Sequence, residues 1–489
     1  MRLALRSLAL AGAASLALAG IAQAQVTDAD KQQLLTSVEK GSPHMAQVAH
    51  QIWEWAEVGY QETKSSALLQ SELKASGFTI QPGVAGMPTA FVASFKNGEG
   101  PVLAILAEFD ALPGLAQKAV PERSPIASQI AGHACGHHLF GAASVEAAQA
   151  LAAWMKANNV PGEIRVYGTP AEEGGSGKVY MVREGLFSDV DATLHWHPSD
   201  SNSAAQSVSL ANISGKFRFS GASSHASAAP WRGRSALDGV EVMNVAVNYM
   251  REHIPDGTRI HYVVTDGGKA PNVVPDQAEV YYYVRHTDPQ IVRDVFARMQ
   301  KAAEGAALAT ETKVSFEQTG GVYNMLVNDT LGKVVDEALR EVGGPEWTPQ
   351  ERAFGEAMVK QLPSGGRPLE SVAQVQAYSI GGGGGGSTDV ADVSWVTPTA
   401  GMTSATWVPG TPAHSWQAVA AGGMSIGSKG AEVAAKTLAL AGARLLKEPQ
   451  LIETAKAELN DRRGADFEYQ AMVGDRAPPL DYRKSSKAD

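Results

Sequence analysis

The chain is almost without cysteine: Cys135 is the single one among 489 residues. An internal disulfide is therefore excluded, as is a lipid carried on a cysteine near the amino terminus. An excess of positive charge is also missing. Asp and Glu number 51 against 41 Lys and Arg, for a formal net charge of −10, which opposes phosphate backbones and excludes nucleic acid as a partner. After the first two dozen residues no apolar run approaches the roughly 20 residues a membrane helix needs. There is no internal repeat, and the six glycines Gly381–Gly386 are the only low-complexity stretch. Hydrophobic residues at 44% and charged residues at 19% are ordinary for a folded chain, so broad disorder is excluded as well.

What is present begins with an export signal. Arg2 and Arg6 make a basic start, Leu8 to Ile21 is apolar, and Ala22-Gln23-Ala24 fits a small-x-small cleavage site. The apolar run is too short to span a bilayer core of about 30 Å. Residues 1–24 are therefore expected to be a cleaved signal peptide, leaving a periplasmic or secreted protein with no membrane contact. The two arginines are not adjacent, so a twin-arginine route is not supported. The mature length is about three times a single-domain prior of roughly 150 residues, which predicts two or three domains.

Along the mature chain, helical periodicity covers residues 27 to about 77 and stops at Gly77. Pro101–Ala107 is a short apolar run, consistent with a strand of a covered sheet. The loop Gly132–His138 and an alanine-rich helix to about Trp154 follow. A second strand, Glu163–Tyr167, leads into Gly168–Gly175, and a third, Ala192–His195, into His195-Trp196-His197-Pro198. Strand, loop and helix repeat, which predicts a mostly parallel α/β sheet. Each polar cluster follows a strand's carboxyl end, the edge where such sheets bind ligands. From about Asn212 to Asn324, alternating strands (Lys216–Gly221, Arg259–Thr265, Gln277–Arg285) and two helices read as a smaller inserted α+β domain. The expected organisation is a catalytic domain in two parts, 25–211 and 325–447, a domain at 212–324 between them, and a peripheral tail at 448–489.

Cys135, His137, Glu173, His195 and His414 all fall in loops or at strand ends. Thiolate, imidazole and carboxylate are the donors that zinc and related divalent ions accept. Taken alone, Cys135 reads first as a small buried hydrophobe, with a reactive thiol and a metal ligand as the other two readings. Glu172 and Glu173 are adjacent, and successive side chains of an extended segment point opposite ways. One can bind metal while the other, Glu172, acts as general base on a water that a metal ion makes acidic. The bland alternative is a solvated surface pair. Asp110, directly after an apolar strand, is placed to orient a ligand histidine, or merely to cap a turn.

These residues lie in motifs: Ala107–Gly114 (AEFDALPG), Gly132–His137 (GHACGH), Glu172-Glu173, Leu194–Pro198 (LHWHP), Ser387–Trp395 and Gly410–Trp416. In that order they resemble the aminoacylase/carboxypeptidase family of di-metal peptidases, in its cysteine-containing amidohydrolase branch, from about Ala49 to Leu446. The resemblance implies a zinc-peptidase-like catalytic domain interrupted by a lid that also makes a homodimer. It implies two divalent ions, zinc or manganese with cobalt a third fit, on Cys135, His137, Glu173, His195 and His414. His197 is the rival to His195. Glu172 would be the base, with Asp110 beside it. Gly221–Ala226 resembles the lid segment whose histidine, here His225, steadies an oxyanion. Asn272 in Gly267–Pro275, Arg285 and Asp389 match substrate-binding positions. The glycine run beside Ser387 is either a plain linker or a source of N–H donors for a substrate carboxylate. His138 departs from the Asp or Asn of many relatives. The implied reaction is hydrolysis of the amide bond in N-acyl or N-aroyl amino acids. A dipeptidase, a non-catalytic binding protein and a hydrolase using Cys135 as nucleophile are the alternatives.

Overall fold

The structure, a computed structural model, describes residues 25–363, 365–383 and 385–484. The expected signal peptide lies outside the described residues. Among these, no helix is long and apolar enough to cross a membrane.

Helix α1 (Asp28–Trp55) starts at a capping box in which Thr27 and Asp30 satisfy each other's backbone N–H. Strands β1 (Thr79–Pro82), β2 (Phe91–Lys96) and β3 (Val102–Ala107) follow, then helix α2 (His137–Asn158), β4 (Glu163–Gly168) and β5 (Ala192–Ser199). The inserted unit comprises β6 (Ala211–Ser220), helix α3 (Ala236–Met250), β7 (Arg259–Asp266), β8 (Gln277–His286), helix α4 (Pro289–Ala309) and β9 (Lys313–Val322). The chain returns through β10 (Thr399–Ala405) to helices α5 (Ser425–Lys447) and α6 (Pro449–Arg463).

The main sheet runs β1-β2-β4-β3-β5-β10. Its four strands β4, β3, β5 and β10 are mutually parallel, so their carboxyl ends share one edge. β3 (VLAILA) is buried on both faces, which is why it reads as a continuous apolar run instead of an alternating one. Helices α1, α2 and α5 pack together over the sheet. β5 continues four residues beyond the expected strand end at His195, as far as Ser199, and this extension decides the site below.

The inserted sheet, order β7-β8-β6-β9, is wholly antiparallel and carries α3 and α4 on one face. Phe217, Phe219, Val280, Tyr282 and Val284 point inward at alternate positions, the period-2 pattern read from the sequence. The fourth strand, β9, was not expected. It is largely half-exposed and carries Gly320-Gly321 just before its last residue, Val322, so it shows neither clean alternation nor an apolar run.

One expectation is overturned. The tail beyond residue 448 is not peripheral: α6 buries Ile452, Ala455 and Leu459, and the chain then runs back toward the catalytic edge. Arg183 holds it by donating to the carbonyls of Gly474 and Arg476 at 3.0 and 2.7 Å.

Candidate metal centre

The site starts from a tight loop at the amino end of α2. Gly136 has φ +76°, a conformation suited to glycine, and a Cβ there would meet Pro198 at 2.6 Å. The loop carrying Cys135 thus packs directly on β5. His137, the first residue of α2, is fully buried. Its Nδ1 lies 2.9 Å from Asp110 Oδ1, and the other oxygen of Asp110 accepts the Glu173 N–H at 3.0 Å. Asp110 therefore holds both His137 and the backbone of Glu173, two of the proposed ligands. Burial acts to raise the Asp110 carboxyl, but His137, the Glu173 N–H and Lys178 outweigh it and hold it below its usual range.

Three groups of donor atoms converge, each within 4.8 Å: Cys135, His137 and His197; Cys135, Glu173 and His414; and Glu108, His137 and Glu172. Cys135 belongs to the first two. His197 Nε2 stands 3.4 Å from Cys135 Sγ, while its Nδ1 is 2.7 Å from the Pro198 carbonyl. With Nδ1–H donated there, Nε2 is left as a lone pair toward the cluster. His414 sits in the left-handed region at φ +57°. Its N–H donates to the Ala134 carbonyl at 3.0 Å, and its Nε2 lies 3.0 Å from Glu173 Oε1.

His195 is a correction. It occupies the same face of β5 as His197 but two residues back, roughly 6 to 7 Å from the edge side at strand rise, and it joins none of the three groups. Its ring lies over Gly401 of β10, where a Cβ would stand 2.4 Å from Nε2. Burial lowers its basicity to about 4.

Glu172 and Glu173 occupy a short kinked turn, Glu172–Gly175, flanked by Ala171 and Ser176 at φ +57° and +59°. Such a conformation sends the two carboxylates to different groups. Burial lifts the Glu172 carboxyl well above its ordinary range, and Glu108, Glu173 and Asp389 add to the effect. The Cys135 thiol is likewise pushed up by burial. Glu108 Oε2 and His137 Nε2 face each other at 3.1 Å, and Glu173 Oε1 faces His414 Nε2, yet none of these three buried atoms completes a hydrogen bond. Orphaned acceptors beside sulfur, nitrogen and oxygen donors are what divalent ions would satisfy, and the residues fit that group.

A cavity of about 390 Å³ opens here, lined in part by Glu172, Glu173, His414, Arg285, Ser387 and Arg483. Gly386, the last of the glycine run, also lines it, while Ile380–Gly383 pairs with Gln206–Val208. The run is therefore not a free linker. Asp389 borders the cavity but accepts from the backbone N–H and Nζ of Lys178 at 2.9 and 2.7 Å. It is committed to a buried lysine, which corrects its assignment to substrate. His225 and Asn272 neighbour each other on exposed lid segments, where the Ala226 N–H donates to the Asn272 carbonyl at 3.0 Å. Neither lines this cavity within one chain. His138 is spent on the Gly422 carbonyl at 3.1 Å.

Two features escaped the sequence reading. Lys178 is fully buried between Glu108 Oε1 and Asp389 Oδ1, at 2.6 and 2.7 Å. A lysine within the apolar stretch Gly177–Val182 was the available signal. Tyr482 and Arg483 both donate to the Glu173 carbonyl at 2.9 Å, and nothing in a polar tail announces bonds made to a distant backbone oxygen.

The profile of peptidase family M20/M25/M40 matches residues 104–361. The chain belongs to this family. It is 39% identical over 453 residues to a p-aminobenzoyl-glutamate hydrolase of Escherichia coli, covering 86% of this chain and 93% of that one. The Xaa-Arg dipeptidase of Mus musculus is 28% identical, with 88% and 91% covered. Among solved structures, an aminobenzoyl-glutamate utilization protein from Klebsiella pneumoniae superposes with a TM-score of 0.57 at 21% identity, over 82% of this chain and 98% of that one. The α/β M20 fold with an inserted α+β unit, expected from the motifs, is the observed one.

Proposed function

We propose that this M20 protein hydrolyses the amide bond of N-acyl or N-aroyl amino acids, with Cys135 shared between two metal positions. The observation that carries the reading is the pair of three-donor groups meeting at Cys135 on the carboxyl edge of the sheet. Cys135, His137 and His197 would hold one ion, and Cys135, Glu173 and His414 the other. Bound divalent ions supply Lewis acidity, polarising the scissile carbonyl and making water more acidic. Glu172 accepts the proton of the attacking water and returns it to the leaving amine. Asp110 keeps His137 and Glu173 aligned. The E. coli relative, named as an aminobenzoyl-glutamate hydrolase, supports an aroyl amino acid over the dipeptide read from the more distant mouse relative.

Assembly and location belong to the same proposal. β7 is an edge strand with Tyr262, Val263 and Val264 exposed, and α3 exposes Val242, Val245 and Tyr249. That apolar surface supports a homodimer, in which the exposed His225 reaches the partner's site to steady an oxyanion. Arg2, Arg6 and Ala22–Ala24 support export, and protein recovered from the periplasm should then begin at Gln25.

The deciding experiment supplies the mature protein with zinc, manganese or cobalt and offers N-aroyl amino acids, N-acyl amino acids and dipeptides. Amide cleavage that chelation abolishes and metal restores is the expected result. Cleavage surviving exhaustive chelation would count against the metal reading and favour Cys135 as a nucleophile.

A further inference from the structure

The residues that follow α6 form a strap across both units. Arg293 of α4 donates to the Gln470 carbonyl, Arg183 to those of Gly474 and Arg476, and Gln61 to that of Leu480. The strap ends at the site. Tyr482 meets Tyr60 edge-on at 5.7 Å, and its hydroxyl donates to the Glu173 carbonyl. Arg483 donates to the same oxygen through Nη2 and lies along the ring of Tyr482, 5.1 Å from its centroid.

Only part of the Arg483 guanidinium is used by that bond. Its Nε is buried without a partner, and so is the Nε of Arg285, which lines the same cavity. Among the described residues, no carboxylate stands within ion-pair distance of either arginine. Two of the acids nearby are committed, Asp389 to Lys178 and Glu173 to His414. A guanidinium half out of solvent and without an anion is unfavourable, and its planar fork matches a carboxylate.

We propose that the carboxyl-terminal strap is a wall of the active site, in which Arg483 binds the side-chain carboxylate of the substrate's amino-acid half. Arg285 and Arg483 together offer two forks, so a substrate with both an α- and a side-chain carboxylate satisfies both. One with a neutral side chain leaves a fork empty, and a basic side chain is repelled. The inference rests on the proposed amide hydrolysis for its choice of substrate and names the residue of this chain that sets the preference.

The test compares N-benzoyl-glutamate with N-benzoyl-leucine on the metal-supplied protein. Calorimetric binding is measured in a Glu172→Gln background, and kcat and KM in the parent. Arg483→Gln removes the charge but keeps an N–H for the Glu173 carbonyl, and Arg483→Lys restores the charge. Arg483→Gln should weaken N-benzoyl-glutamate binding and raise its KM on the order of 10- to 100-fold, as loss of charge-assisted hydrogen bonds does. N-benzoyl-leucine should change by less than about 3-fold, and Arg483→Lys should recover part of the loss. Equal weakening of both ligands, or no change in either, overturns the proposal. If the parent cleaves no amide at all, the hydrolytic reading fails, while the binding comparison still decides the role of Arg483.

Discussion

Cys135 Sγ and His197 Nε2 stand 3.4 Å apart, with the imidazole locked by its own bond to the Pro198 carbonyl. A thiol and an imidazole lone pair so placed are two donors to one position, and His195 has no equivalent place. His197→Ala should therefore lower bound metal by about half and activity by at least 10-fold, the usual scale for disturbing a metal site. His195→Ala should retain its metal. Metal analysis of both purified variants checks this, and a metal-poor His195→Ala beside a replete His197→Ala would reverse the assignment.

Adjacent glutamates should fail differently. Glu172→Gln keeps the shape and metal content but removes the proton acceptor, so turnover falls by roughly 10² to 10⁴. Glu173→Gln and Cys135→Ser should lose metal, with partial return of activity when excess ion is added. Initial rates measured beside metal content separate the cases. An active Glu172→Gln enzyme would remove the general base from the mechanism.

Lys178 is surrounded by acids. Burial disfavours its charge, yet Asp389, Glu108 and Glu172 more than compensate and keep it protonated. Lys178→Met leaves Glu108 and Asp389 buried without their cation and should destabilise the protein by about 3 to 5 kcal/mol in urea unfolding. Adding Asp389→Asn should recover part of that. A loss under about 1 kcal/mol would mean the two carboxylates find other partners.

Glu146 should give stability an alkaline penalty. Burial lifts its carboxyl from 4.5 to about 7, so the folded state holds the proton more tightly than the unfolded chain. The contribution is complete below pH 4.5 and fades as pH rises through about 7. Glu146→Gln is neutral throughout. Its stability relative to the parent should therefore grow between pH 5 and pH 8, by on the order of 3 kcal/mol at most. Denaturant midpoints at the two pH values measure it, and a gap independent of pH would rule it out.

Light scattering should give roughly twice the mature chain mass. Val263, 55% exposed on the edge strand β7, is the position to break it: Val263→Glu should shift the protein toward monomer while leaving metal content intact. An unchanged dimer would move the interface elsewhere.

How far the sequence could be read depended on the kind of contact involved. β3 was legible because a strand buried on both faces must be apolar throughout; Asp110 and Glu173 stood out as carboxylates after strands, and Cys135 and His137 as donors two apart on a glycine-bearing loop. His195 and His197 were not separable, because period-2 alternation places both on one face and only the true end of β5 chooses between them. Asp389 looked available to substrate because its partner Lys178, 211 positions away, resembles any surface lysine. The strap was invisible for another reason: it is tied down largely through backbone carbonyls, which every residue possesses.

That strap also bears on the order in which the molecule is built. Glu173 and Tyr482 are 309 positions apart, with the whole inserted unit between them. Loop closure over such a span is entropically unfavourable until both flanking units are in place. Docking of Tyr482 and Arg483 on the Glu173 carbonyl is thus expected late in folding, after the units on either side of that span.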